Sequence, residues 1–223
     1  MRHKRPMTGE DELPPEQDLA LAYARARDRP AIEAVLRLDK NLGRAVAQAS
    51  EPIVGQLKLA WWRDALSASP EARPQGNPLL ETLSANFGSD TRCLVALVDG
   101  WESLLVSDPL SAGSIELLLA GREVAWRLIA SRLAPGENMT HVAAAARRWA
   151  LADLLAGLGD EHERAIALSL AASEVRPPRL SRQLRPLAVL AALASGAIAR
   201  GGLPLLADRR AALVALRSGL FGR

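Results

Sequence analysis

Carboxylates one helical turn apart are the groups in this 223-residue chain best placed to do chemistry. Two of them on one helix face can grip a hard divalent cation or share a proton. The segment "RRWALADLLAGLGDE" holds Asp153, Asp160 and Glu161, and on an uninterrupted helix positions 153, 157 and 161 share one face, with Gly157 as the middle rung. Asp99 and Glu102 stand three apart in "VDGWE", a spacing that usually marks only the polar edge of a helix. The most distinctive stretch is "EPIVGQLKLAWWRDAL", residues 51 to 66, where Trp61 and Trp62 are followed at once by Arg63 and Asp64.

Other chemistries find little support. His141 and His162 lack the paired spacing of a zinc site and read as solvated surface residues. Cys93 is the single cysteine, and its apolar setting "CLVAL" reads as a buried structural thiol in a reducing compartment. The glycines of "GLGDE" and "SGAIARGG" follow no strand, which argues against a phosphate-cradling loop. A net charge of only +3, with no basic run interleaved with aromatics, argues against a nucleic-acid surface.

The elements that must position these groups are helices. Ala, Leu and Arg dominate, aromatics make up 4%, and no segment alternates with period two, so the chain reads as all-α. Residues 1–15, basic and then acidic without an apolar core, form a disordered lead-in rather than a secretory signal, and residues 16–223 form one helical domain. The periodicity predicts helices over 16–27, from Pro30 to 49, from Pro52 to about 68 with Ser50 as cap, and over 78–87, 90–106, 113–133 and 138–156. Two short helices close the chain after a Pro- and Arg-rich loop at 173–186. The apolar run 187–199 is too short to span a bilayer, which needs about 20 residues. Within the third helix, Ile53, Leu57 and Trp61 form one row and Val54, Lys58 and Trp62 the next. At least one indole then belongs to the core and the other to a groove, with an Arg63–Asp64 pair at the rim.

The string "SEPIVGQLKLAWWRDAL" resembles the tryptophan signature of the squalene/phytoene synthase family, especially its short bacterial members and the related mitochondrial assembly factor of respiratory complex I. "LVALVDGWESLL", "LLLAGREVAWRLIASRLAPG" and "RRWALADLLAGLGDE" follow in the family's order. The resemblance implies a single isoprenoid-synthase-like helical bundle around an apolar cavity. Active members hold Mg²⁺ and a diphosphate between two aspartate-rich motifs on facing helices. Counting back from Glu51 and Pro52, the first motif falls on Gly43, Arg44 and Ala47, none acidic. A guanidinium in that place repels a metal ion at any accessible pH. The second motif keeps Asp153 and Glu161 but has Ala156 and Gly157 for its arginine and central aspartate.

These departures imply a family member that has lost Mg-dependent prenyl transfer, with Arg44, Asp153 and Glu161 as the residual cavity and Arg44 pairing with a carboxylate across it. Glu51, Pro52, Trp61, Trp62, Arg63 and Asp64 then mark ancestry, and no catalytic residue or cofactor is expected. The expected role is assembly of a respiratory complex, through one of its subunits, in the cytoplasm or peripherally at the inner membrane. The alternatives are an active head-to-head prenyl-diphosphate transferase, which would need Mg²⁺, and a module carrying an isoprenoid or other lipid.

Overall fold

The computed structural model describes residues 12–49, 51–175, 179–207 and 209–221, with only the backbone of 209, 210 and 221. Among these residues every regular element is helical: α1 Pro15–Leu21, α2 Arg29–Ala47, α3 Pro52–Ser67, α4 Pro78–Phe87, α5 Val95–Val106, α6 Ala112–Leu133, α7 Met139–Gly157, α8 Glu161–Ser173, α9 Arg185–Ala199 and α10 Arg209–Phe221. Three short 3₁₀ turns lie at 70–72, 88–94 and 182–184. The chain is all-α, and no described helix is long and apolar enough to cross a membrane. Contacts gather it into two compact units, one of residues 26–129 and one formed by the segments before and after.

In the unit spanning 26–129, α2 carries the stripe that its sequence announces: Ile32, Val35, Leu36, Leu38 and Leu42 are all buried. It packs on α3, α4 and α5. Pro at the first or second position opens α2, α3 and α4, where the missing N–H costs nothing. The Asn77 side chain caps α4 by accepting from the Leu80 N–H at 3.0 Å. A reciprocal pair starts α6, with the Ser114 N–H donating to Ser111 Oγ and the Ser111 N–H to Ser114 Oγ, each 3.0 Å. The Pro- and Gly-rich segment 69–77 is a loop, held by the buried Arg73. Its guanidinium donates to Ser84 Oγ, the Gly88 carbonyl and Thr91 Oγ1, and Thr91 in turn donates to the Leu66 carbonyl at the end of α3.

In the other unit α9 is the centre. Leu187, Val189, Leu190, Leu193 and Ala194 are buried, and α7, α10 and α1 pack around it. α7 turns Ala143, Ala145, Ala146, Ala150 and Ala152 inward, small side chains that allow a close helix approach. α10 buries Ala211, Ala215 and Ser218 and leaves Leu213, Leu216 and Leu220 outward.

Several expectations need correction. The first helix stops at Leu21 instead of continuing to 27: Tyr23 and Ala24 already make tighter i→i−3 bonds, and the Tyr23 ring is seated against Gly219. Leu13 is buried, so packed chain begins before residue 16, while residues 1–11 lie outside the described residues. Residues 88–94 wind as a 3₁₀ turn ahead of α5, and its three-residue repeat turns Thr91 and Leu94 inward and leaves Cys93 exposed, not buried. α8 was not anticipated, because the charged string "DEHER" hides its start. Asp160 is in fact the cap, accepting from the N–H groups of His162 and Glu163 at 2.9 and 3.0 Å.

α5 and α6 approach through glycine. A methyl group at Gly100 would lie 2.8 Å from Leu118 Cα and 2.9 Å from the Leu117 carbonyl oxygen, both backbone atoms that cannot swing aside. Gly100→Ala is therefore expected to lower unfolding free energy by about 1–3 kcal/mol. Gly157→Ala, at a helical position facing open space, is expected to leave stability unchanged or raise it by about 0.5 kcal/mol. Denaturant titration of both variants checks the contrast.

Candidate functional site

The groups singled out from the sequence divide between the two units: Arg44 and the tryptophan motif belong to one, Asp153 and Glu161 to the other. The second aspartate-type motif does not form a ladder. α7 ends at Gly157, Leu158 to Asp160 run as a loop, and Glu161 opens α8. Positions 153, 157 and 161 therefore do not lie on one helix face. The reason is local: Gly157 and Gly159 surround the break, and Asp160 makes a stronger start than interior residue. Asp153 is half-buried on α7 and Glu161 is exposed in the first turn of α8. Among the described residues, no three of His, Cys, Asp and Glu gather in a way that could hold a metal ion.

In the first unit the motif residues come together with partners that the sequence did not reveal. Pro52 is the first residue of α3, and Glu51 takes the extended cap conformation without a side-chain bond to the helix. Ser50, the expected cap, lies outside the described residues. Trp62 is the core indole, 8% exposed, in line with the buried Gly55, Leu59 and Leu66. Trp61 is 39% exposed and meets Trp62 edge to face, ring centroids 4.9 Å apart and planes at 81°.

Arg63 does not pair with its neighbour Asp64, because adjacent residues on a helix point apart. It reaches α5 instead, where its guanidinium lies 2.6 Å from Glu102 Oε2 and its Nε donates to Asp99 Oδ1 at 3.2 Å. Those bonds, from Asp99 first and Glu102 next, raise the Arg63 pKa further above its ordinary value. The carboxylates of "VDGWE" are thus the acceptors of the motif arginine, and they tie α3 to α5.

One turn into the interior lies a second polar cluster. Asp39 on α2 and Arg122 on α6, 3% and 3% exposed, form a two-pronged ion pair, Arg122 Nη2 to Asp39 Oδ2 at 3.0 Å and Nε to Oδ1 at 3.2 Å. Trp101 of α5 donates its indole N–H to Asp39 Oδ1 at 2.6 Å, and the Arg122 guanidinium stands 5.3 Å from the centre of the Trp101 ring. Gly43, one turn after Asp39, makes room for that ring: a Cβ there would be 2.8 Å from two of its carbons. Nothing in the one-dimensional pattern flags this cluster, although an acidic residue inside the apolar stripe of α2 is a signal of a buried partner.

Between α2 and α3 opens a pocket of about 320 Å³, lined by Asn41, Arg44, Ala45, Gln48, Lys58, Trp61 and Trp62. Its two charged residues are both cations. Arg44 donates to Asn41 Oδ1 at 3.2 Å, and Lys58 is exposed at the rim. The two cations of this lining favour an anionic group and repel a bare divalent cation. Compared with known proteins, the chain matches no family model, no curated protein and no solved structure.

Of the two indoles, Trp62 is the buried one and Trp61 the exposed one. Trp62→Ala should cost about 3–5 kcal/mol of stability and Trp61→Ala less than about 1.5 kcal/mol, read from paired melting or denaturant curves. Asp39→Asn should cost about 3–5 kcal/mol, since it removes one charge of the buried, two-pronged pair with Arg122. If it unfolds at the wild-type midpoint, the pair has no structural weight.

Proposed function

We propose that the protein is a squalene/phytoene synthase-like protein that works by binding rather than by prenyl transfer, in the assembly of a respiratory complex. The observation that carries the loss of prenyl transfer is the occupation of the first motif's place. The Trp101 ring fills the space above Gly43, so no carboxylate can stand there. Arg44 turns to a pocket whose other charged group is Lys58. The buried carboxylate on that stretch of α2, Asp39, has Arg122 as its counter-charge. A side-chain cation thus stands where this reading's ancestor needed a metal ion, and its charge cannot be released to a departing diphosphate.

The assembly role draws its support from the resemblance of residues 50–66 to the mitochondrial assembly factor. On this reading the protein works in the cytoplasm, beside the inner membrane that holds the complex, with a complex subunit as its partner.

Incubation with farnesyl or geranylgeranyl diphosphate and Mg²⁺ is expected to release no diphosphate above the protein-free rate. Sustained release that depends on Mg²⁺ overturns the proposal in favour of an active transferase. Deletion of the gene is expected to lower the amount of the assembled respiratory complex on native gels, restored by the wild-type chain.

A further inference from the structure

α3 has two unlike sides. Gly55, Leu59, Trp62 and Leu66 face inward, while Ile53, Val54, Leu57 and Trp61 face solvent at 55, 40, 65 and 39% exposure. On a helical projection the outward four fall within about 100° of arc, a single apolar face two turns long. Large apolar residues scattered singly over a surface need no explanation, but four on one face do. Trp61 belongs to this face and also to the wall of the pocket that holds Arg44 and Lys58. The apolar face and the cationic pocket are therefore continuous.

We infer that this side of α3 docks on an anionic phospholipid bilayer, with Ile53, Leu57 and Trp61 entering the headgroup boundary and a lipid phosphate meeting Arg44 and Lys58. The shape of the surface selects this occupant. A partner helix laid between α2 and α3 needs a continuous apolar floor, and here Asn41, Arg44, Gln48 and Lys58 interrupt the apolar surface of Ala45 and the two indoles. Ile53, Val54 and Leu57 instead stand exposed beside the pocket, which suits entry into a soft interface. An indole at the junction of apolar and polar groups is the side chain that settles at such a boundary. Charge agrees, because the pocket lining carries cations and no carboxylate, and each basic residue near an anionic surface adds to the attraction. Glu51 and Asp64, both exposed, stand at either end of the face and limit its extent.

Sedimentation of the full chain with vesicles tests the inference, using pure phosphatidylcholine and an equal mixture of phosphatidylcholine and phosphatidylglycerol at low salt. The wild-type protein is expected to pellet with the mixed vesicles and not with phosphatidylcholine alone. Leu57→Asp is expected to weaken partitioning by about tenfold or more, and Lys58→Glu by about fivefold. Both residues are exposed, so both variants should melt like the wild type, which separates loss of docking from loss of fold. Three results each overturn the inference: no binding to the mixed vesicles, equal binding by Leu57→Asp, or a wild-type dimer that Leu57→Asp converts to monomer without any vesicle binding. The last would assign the face to a second copy. The assay involves no prenyl diphosphate and no respiratory complex, so its failure leaves the proposed function standing, and failure of that function leaves the docking face standing.

Discussion

Burying Asp39 and Arg122 against each other is the constraint around which the first unit is arranged. Two charges removed from water are tolerable only when paired at close range with their remaining donors and acceptors satisfied. The pair therefore demands a fixed distance between α2 and α6, and the Trp101 N–H that completes Asp39 demands a fixed position for α5. Replacing all three groups by well-packed apolar ones could give equal stability, so what the cluster contributes is a unique arrangement. Gly43 follows from it, because the indole that donates to Asp39 must pack directly against α2. Gly100 and Gly121 follow as well, because α5 and α6 can hold Trp101 and Arg122 this close only if their backbones nearly touch.

A second tie works at the surface of the same unit. Arg63 joins α3 to α5 through Asp99 and Glu102, at partial exposure where water and salt weaken the attraction. Its contribution to stability is small beside that of Trp62. Its geometric effect is larger: α3 is fixed in rotation about its own axis, with Trp62 inward and Trp61 at the pocket. The order Trp61, Trp62, Arg63 thus reads as three directions about 100° apart, toward solvent, core and α5.

Most of the fold was legible from periodicity and punctuation. α2, α3, α4, α6 and α7 begin and end within a residue or two of where proline, asparagine and glycine signals place them. The misses have two causes, a tertiary contact at the first helix and local backbone geometry or capping elsewhere. Tyr23 leaves the first helix to reach Gly219, and a 3₁₀ segment turns Cys93 outward. The candidate site was legible in part. That one indole is core and one is not follows from the helical repeat; which is which does not, since it depends on where α5 stands. The Asp39–Arg122 pair spans 83 positions, a distance at which spacing has no power, and only the oddity of an acid within an apolar stripe hinted at it.

The break after Gly157 shows how a motif alignment can mislead even when its residues are all present. Asp153 and Glu161 keep a spacing that would stack them on one continuous helix, yet Asp160 spends its side chain on two N–H groups of a new helix. A capping carboxylate and a metal-binding ladder compete for the same stretch, and here the cap prevails because the glycines at 157 and 159 weaken helix continuation. The tryptophan stretch is built on other terms: Pro52 opens α3, Trp62 fills the core and Arg63 ties the helix to α5, structural demands independent of any bound ion. A signature made of such residues reports how a helix is seated and by itself says nothing of the chemistry beside it.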